Sequence, residues 1–362
     1  MAVSMNLFGD VPKFFKGVVK CIENPTPTHD ETKVEFVKLV KIKEIEAEID
    51  DEHFMVRPWF LTANKEGEIF VFDRMVEKIF KFGNEQNGFK FIKTFGNTGQ
   101  GPAEYGRQYS VYGIYACDDG FIYVSDKANK KIIKFDAQGK HIRDFRIPPE
   151  TITDGGFLPI INPDGEYYVL TGTYCTLDAY NIHDRNLNKR FSLLGKDVCE
   201  ESVILEVRKQ DYMSWLFLTL DNLKYDILPD NSLIFYLRNT STVYIYRQGK
   251  LVRKFNIWPK LILDNYRVKI AERAKNLPKN GLLILYMFND FFMDKDDANY
   301  FFLKGLGRIN NKSLLYKCDV KGNLVKVFYT PFPVRIVAKR KNLFYGLYDD
   351  KIYILKEETH EK

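Results

Sequence analysis

The stretch Thr94-Phe95-Gly96-Asn97-Thr98-Gly99-Gln100-Gly101-Pro102-Ala103-Glu104-Tyr105-Gly106 is dense in turn formers, and the pattern that comes directly after it decides the fold. Asp119-Gly120-Phe121-Ile122-Tyr123-Val124-Ser125-Asp126 reads as a turn and a strand, and Lys131-Ile132-Ile133-Lys134-Phe135-Asp136 as a second strand. Gly139-Lys140 then turns the chain into a third, His141 to Arg146. A tight hairpin needs positive φ at a turn position, which glycine takes without a Cβ clash. Loop, strand, turn, strand, turn, strand makes about one blade of a β-propeller.

Weaker copies lie on either side. Strands of the same kind start near residues 78, 131, 177, 243, 314 and 351, each preceded by another apolar strand. Gly249-Lys250 and Gly322-Asn323 repeat the closing turn. The spacing is uneven against the roughly 40 to 45 residues of a blade. The long intervals therefore hold insertions, at Lys196 to Asp226 and within about 256–280. The second carries the clearest helical pattern, predicted from Asp264, as its cap, to Leu277, with Pro278 ending it. The sixth copy supplies Val334 to Val337, Leu343 to Leu347 and Lys351 to Leu355, and then the chain stops. Val34 to Ile45 is strand-like with no nearby partner. Pairing that lone strand with the sixth copy closes the ring and removes exposed edges. The expectation is an all-β, six-bladed propeller over residues 33–362 with a short helical insertion, residues 1–32 forming a loosely docked N-terminal extension.

Composition agrees. Of 362 residues, 45% are hydrophobic and 28% charged, ordinary for a globular chain, while 29 Phe and 22 Tyr favour pleated surfaces. The formal charge of +6 is scattered, with no basic tract to follow phosphates, so nucleic acid is not an expected partner. Five widely spaced cysteines without a CxxC pair argue against a disulfide framework. No apolar run reaches the roughly 18 residues of a membrane span. No signal peptide is readable in Met1 to Ile22, where Asp10, Pro12, Lys13, Lys16 and Lys20 break the apolar run, and taken literally this reads as cytoplasmic.

With these residues in view, the chain resembles the NHL-repeat, TolB-like bacterial type of six-bladed propeller. The resemblance rests on a G-x-x-G-Q-G-P-x-E-[FY] loop, here Gly96, Gly99, Gln100, Gly101, Pro102, Glu104 and Tyr105, followed by Gly120, Tyr123, Val124, Asp126, Asn129, Ile132 and Phe135. It covers about Asn64 to Pro148 and then fades to strand spacing. It implies an exported or lipid-anchored protein, and most such relatives have no assigned activity.

Motifs for chemistry are sparse. The glycine-rich loop fits neither a P-loop nor a dinucleotide fingerprint and reads as an inter-blade connection. Asp294-Lys295-Asp296-Asp297 fails the EF-hand pattern and reads as a solvated turn. The histidines show no zinc-type pairing, and there is no G-x-S-x-G elbow, so neither a metal nor a cofactor is expected and catalytic residues stay unknown. Asp73 and Asp126 each end the second strand of a copy, where a carboxylate fixes the following turn or meets a ligand. The channel mouth is expected to gather Arg57, Arg107, Tyr109, Asp126, Tyr174, Arg238 and Arg335. Arginine grips carboxylates bidentately, so this set suits a small anionic or sugar-like ligand or a protein partner. The same side chains could instead fill the channel and pair with Asp73 or Asp126. The expected function is a non-catalytic binding or scaffold module, acting as a monomer. The alternative is a propeller hydrolase or lyase with a metal in its channel.

Overall fold

Four successive strands of alternating or wholly apolar character, joined by connections of two to eight residues, fold back as an antiparallel meander, and the chain does so repeatedly. The computed structural model describes residues 27–107, 109–146, 158–161, 167–173, 176–181, 187–192, 223–228, 230, 232–238, 241–247, 250–265, 268, 288–309 and 311–358. Strand β1 spans Glu35–Ile45. The first blade is β2 (Pro58–Ala63), β3 (Ile69–Asp73), β4 (Lys78–Phe82) and β5 (Phe91–Phe95). Two short strands, β6 (Asn97–Thr98) and β7 (Glu104–Tyr105), pair in parallel within the connection to the next blade. The second blade is β8 (Val111–Ala116), β9 (Phe121–Asp126), β10 (Lys131–Asp136) and β11 (His141–Arg146). The third is β12 (Leu158–Ile161), β13 (Tyr167–Thr173), β14 (Thr176–Asn181) and β15 (Leu187–Ser192). The fourth is β16 (Leu223–Ile227), β17 (Leu233–Leu237), β18 (Thr242–Arg247) and β19 (Lys250–Asn256). The fifth is β20 (Phe288–Met293), β21 (Tyr300–Ile309), β22 (Lys312–Asp319) and β23 (Leu324–Thr330). The sixth is β24 (Arg335–Arg340), β25 (Leu343–Tyr348), β26 (Lys351–Glu357) and, as its outer strand, β1.

The first strands of the six blades touch in order, β2 to β8 to β12 to β16 to β20 to β24 and back to β2, so they ring a central channel. Burial follows radial position. Second strands such as β3 and β9 are buried along almost their whole length, because both faces of each blade meet a neighbour. Outer strands are more open: β5 has one buried residue and β19 has none. The core therefore lies between blades. Phe70, Phe72 and Ile79 pack on Ile122, Val124 and Phe135 of the second blade, and Phe302, Leu315 and Phe328 pack on Ile336 and Phe344 of the sixth. Large rings fill the wedge between twisted sheets, as in the edge-to-face pairs Phe95–Phe135 and Phe302–Phe344. That packing explains the aromatic richness of the sequence.

Ring closure matches the sequence expectation and adds to it. Leu39 to Ile45 pair antiparallel with β26, while Glu35 to Lys38 pair parallel with β23 of the fifth blade. One strand thus fastens the last two blades together. Leu39 is fully buried with Phe328, Phe344 and Leu355.

Two expectations are corrected. Residues 27–33 are firmly seated where a loose extension was expected. Thr28 exchanges hydrogen bonds with the Trp258 backbone, and the His29 ring lies 2.7 Å from the Gly322 carbonyl. The helix of the insertion begins at residue 260, four residues before Asp264, and its cap comes from elsewhere: the Glu31 carboxylate accepts from the Leu261 N–H at 3.0 Å. A buried helix start needs acceptors for its free N–H groups, and Glu31, 1% exposed, provides one. The rest of that helix, the 196–222 insertion and the Gly249 turn lie outside the described residues. The other two closing turns are as expected: Gly139 and Gly322 adopt φ of 77° and 95°, and a Cβ there would meet Phe95 and Phe255 of the preceding blade at 2.4 and 2.8 Å.

Candidate functional site: the channel mouth

The glycine-rich loop is a structural joint. Gly96, at φ 81°, lies against Tyr105, whose buried hydroxyl donates to the Glu77 carbonyl at 2.8 Å. Glu104 accepts from the Gly101 N–H, and Asn129 and Lys131 of the next blade donate to the Gly99 and Gly101 carbonyls. The Tyr105, Asn129 and Lys131 bonds use groups of the loop to join the first two blades.

Asp73 and Asp126 do the same work one level in. Asp73 is fully buried: one carboxylate oxygen accepts from the N–H groups of Val56 and Arg57, at 2.7 and 2.6 Å, and the other from Met75 and Val76, both at 2.8 Å. It ties the loop entering β2 to the turn after β3. Asp126, also fully buried, accepts from the Gly106 N–H and from the backbone and side-chain amides of Asn129. Its carboxyl is nevertheless pushed up from the ordinary aspartate value by burial, which these bonds only partly oppose. Among the described residues neither aspartate pairs with a mouth arginine, and Asp126 is engaged with Gly106 and Asn129.

What these ties position is a cluster of guanidinium groups and rings. The Arg74 guanidinium carbon lies 4.0 Å over the Trp59 ring and 4.5 Å over the Tyr109 ring, and Arg57 stands 5.1 Å over Trp59. Tyr109 reaches the cluster from a backbone at φ 64°, a strained value for a bulky residue. Arg335, from the first position of β24, lies 6.0 Å from the Trp59 ring and forks onto Asp290 of β20 at 2.9 and 3.3 Å. Asp290 is held below the usual carboxylate range: burial pushes it up and the Arg335 guanidinium more than reverses that. Lys304, 7% exposed, is pulled below the ordinary lysine value by burial, with Asp290 opposing. Arg74 is likewise lowered, chiefly by burial, with Arg57 and Arg335 adding to it.

Of the residues expected at the mouth, Arg57, Tyr109 and Arg335 come together here. Arg107 is exposed at the entry to β8, and Arg238 is half-buried in the turn after β17. Tyr174 lies outside the described residues. Sequence reading placed Trp59 beside Arg57 at the mouth but missed Arg74 and Asp290 as members. A signal for Arg74 exists in the repeat: Asp73-Arg74 and Asp126-Lys127 are equivalent, and Lys127 lies 5.0 Å over Tyr112, which sits second in β8 as Trp59 sits second in β2.

The opposite channel end is neutralised. Arg340 meets Asp118 at 2.5 Å, Lys339 bridges Asp294 and Asp296 at 2.9 Å each, and Lys295 pairs with Asp226 at 2.7 Å. Asp294, expected in a solvated turn, is 1% exposed, because Lys339 reaches it from the neighbouring blade. Among the described residues, no group of three or more His, Cys, Asp or Glu is placed to hold a metal ion. No helix there is long and apolar enough to cross a membrane.

Comparison with known proteins gives the same fold. Residues 26–204 match the DUF5128 family model, described as a 6-bladed beta-propeller. No curated protein matches. Among solved structures, a member of the duf4221 family from Bacteroides vulgatus is similar at a TM-score of 0.53 and 11% identity, over 89% of this chain and 98% of that one. Virginiamycin B lyase from Staphylococcus aureus is similar at a TM-score of 0.49 and 12% identity, over 88% of this chain and 99% of that one. At such identities the likeness speaks to fold alone. Strand pairing, the closed ring and the family match agree, and the chain is a six-bladed β-propeller.

Proposed function

We propose that the chain is a non-catalytic binding module that holds a small anionic ligand at the channel mouth. One observation carries this reading. Arg57 and Arg74 converge on Trp59, and no carboxylate among the described residues lies within ion-pair distance of either. Like charges held together in a partly buried site raise the free energy of the empty protein, and an anion relieves it. The sugar-like alternative fares less well, because Trp59, the ring a sugar would stack on, is already engaged by guanidinium groups. The alternative of a metal-bearing hydrolase or lyase needs carboxylates free to converge in the channel, and Asp290 is already held by Arg335. The finer resemblance, to the NHL-repeat and TolB-like type, is part of this proposal and rests on the loop from Gly96 to Tyr105.

The test is a thermal-shift and calorimetric screen of small anions against neutral analogues, on the full chain and on Arg57→Gln. Expected is a saturable rise in Tm that weakens in high salt and in the variant. Anions and neutral analogues acting alike, or Arg57→Gln matching the parent, would sink the reading.

A further inference from the structure

Arg74 differs from Arg57 and Arg335 at the mouth in its buried, unsatisfied Nε–H. Arg335 is neutralised by Asp290, whereas Arg74 has no ion pair and no side-chain hydrogen bond among the described residues, and its Nε–H is buried without an acceptor. The guanidinium carbon lies 4.0 Å from the Trp59 ring centroid and 4.5 Å from that of Tyr109, and rings stacked on a guanidinium leave its N–H edge to do the bonding. An edge of parallel N–H groups matches the two oxygens of a carboxylate. The surroundings also have an apolar side. Tyr109 is 54% exposed, and Met75 and Val56, the neighbours of Arg74 and Arg57 in sequence, are 58% and 48% exposed. Exposed apolar groups beside an unpaired cation fit a ligand of mixed character.

We infer that Arg74 is the anchor of the site and that its ligand is an organic carboxylate with an apolar body, the carboxylate on the Arg74 edge and the body against Tyr109. This rests on the binding reading proposed above. It makes Trp59 a positioning residue, fixing the guanidinium plane, and Tyr109 both a wall of the anchor and a contact surface. Arg57 adds charge without setting the geometry.

The probes are phenylacetate, acetate, phenylacetamide and phenyl phosphate, titrated calorimetrically into the full chain at low and moderate salt. Phenylacetate should bind about tenfold more tightly than acetate, and phenylacetamide, the same body without charge, should not bind measurably. Arg74→Gln should weaken phenylacetate by at least about tenfold, the factor of one lost charge-assisted hydrogen bond. Arg74→Lys should lose nearly as much, since an ammonium keeps the charge and not the fork. Lys93→Gln, an exposed change on β5 of equal charge, is the control. Should the Arg74 variants fold poorly, Tyr109→Asn replaces an exposed side chain with one that accepts the same backbone conformation, and it should bring phenylacetate down to the level of acetate. Equal binding of phenylacetate by parent and Arg74→Gln would overturn the anchor while leaving the broader binding reading intact. Phenyl phosphate binding with phenylacetate silent would overturn the ligand class. Failure of every anion on the parent chain would remove the broader reading, and this one with it.

Discussion

Replacing Asp73 with asparagine changes one heavy atom and should cost as much as a large core truncation. The carboxylate accepts four backbone N–H groups at 2.6 to 2.8 Å from a fully buried position. An asparagine keeps one oxygen, able to serve either the Val56–Arg57 pair or the Met75–Val76 pair, and turns an NH2 group against the other. Two hydrogen bonds to a charged acceptor are lost at about 1.5–3 kcal/mol each, giving roughly 3–5 kcal/mol once partial relaxation is allowed. Against a total stability of about 5–15 kcal/mol, that is a large fraction. Asp126→Asn is the matched comparison. Asp126 accepts only two backbone N–H groups, at 2.9 and 3.3 Å, and also accepts from the Asn129 side chain, so its loss should be about 1–3 kcal/mol. The assay is urea unfolding, read as a fall in midpoint at constant slope. Because the two segments that Asp73 ties carry Arg57 and Arg74, Asp73→Asn should also weaken anion binding, whereas Asp126→Asn should weaken it less. A loss below about 1 kcal/mol for Asp73→Asn, or a larger one for Asp126→Asn, would refute the account of Asp73 as the tie beneath the mouth.

Two further outcomes test closure and electrostatics. Leu39→Ala empties a fully buried position in the closing strand and should cost about 2–5 kcal/mol, while Lys43→Ala, exposed on the same strand, should stay within about 0.5 kcal/mol in the same urea assay. The Asp290 carboxyl lies below its ordinary value in the folded chain, so its stabilisation is present above the unfolded value near about pH 4 and is lost as pH falls through the folded value; Asp290→Asn should flatten that part of the acid limb, followed as midpoint against pH.

How much of this could be read from sequence depends on how far apart the partners lie. Turn chemistry is local, so the hairpins at Gly139 and Gly322 and the aspartates closing β3 and β9 were legible. Ring closure was legible for another reason: counting strands left one strand without a partner and the last blade without its outer strand, although its parallel pairing with β23 was not foreseen. The helix start failed because its cap, Glu31, is 230 residues away from Leu261. Asp294 failed in the same way, with Lys339 45 residues downstream on the next blade. The mouth was half legible. The entry loops were named as a source of its side chains, but Arg74 stands in the turn after a second strand, where the pairing of β2 with β3 sets it beside Trp59 and the second blade brings Tyr109 onto it.

The two ends of the channel differ in a way that favours a function at the mouth. Both are rich in cations, as the innermost strands of a chain with this charge balance will be. At the far end Arg340, Lys339 and Lys295 each meet a carboxylate from another strand or blade, so that end is held by its own ion pairs. At the mouth one such pair forms among the described residues, Arg335 with Asp290, and Arg57 and Arg74 are stacked on rings instead. Stacking holds a guanidinium in place without neutralising it, leaving its edge bonds to be made. A channel built only for stability would gain nothing from treating its ends so differently. The difference is what a site for an anion requires: a cation kept charged, fixed in orientation and left, among the described residues, without an internal partner.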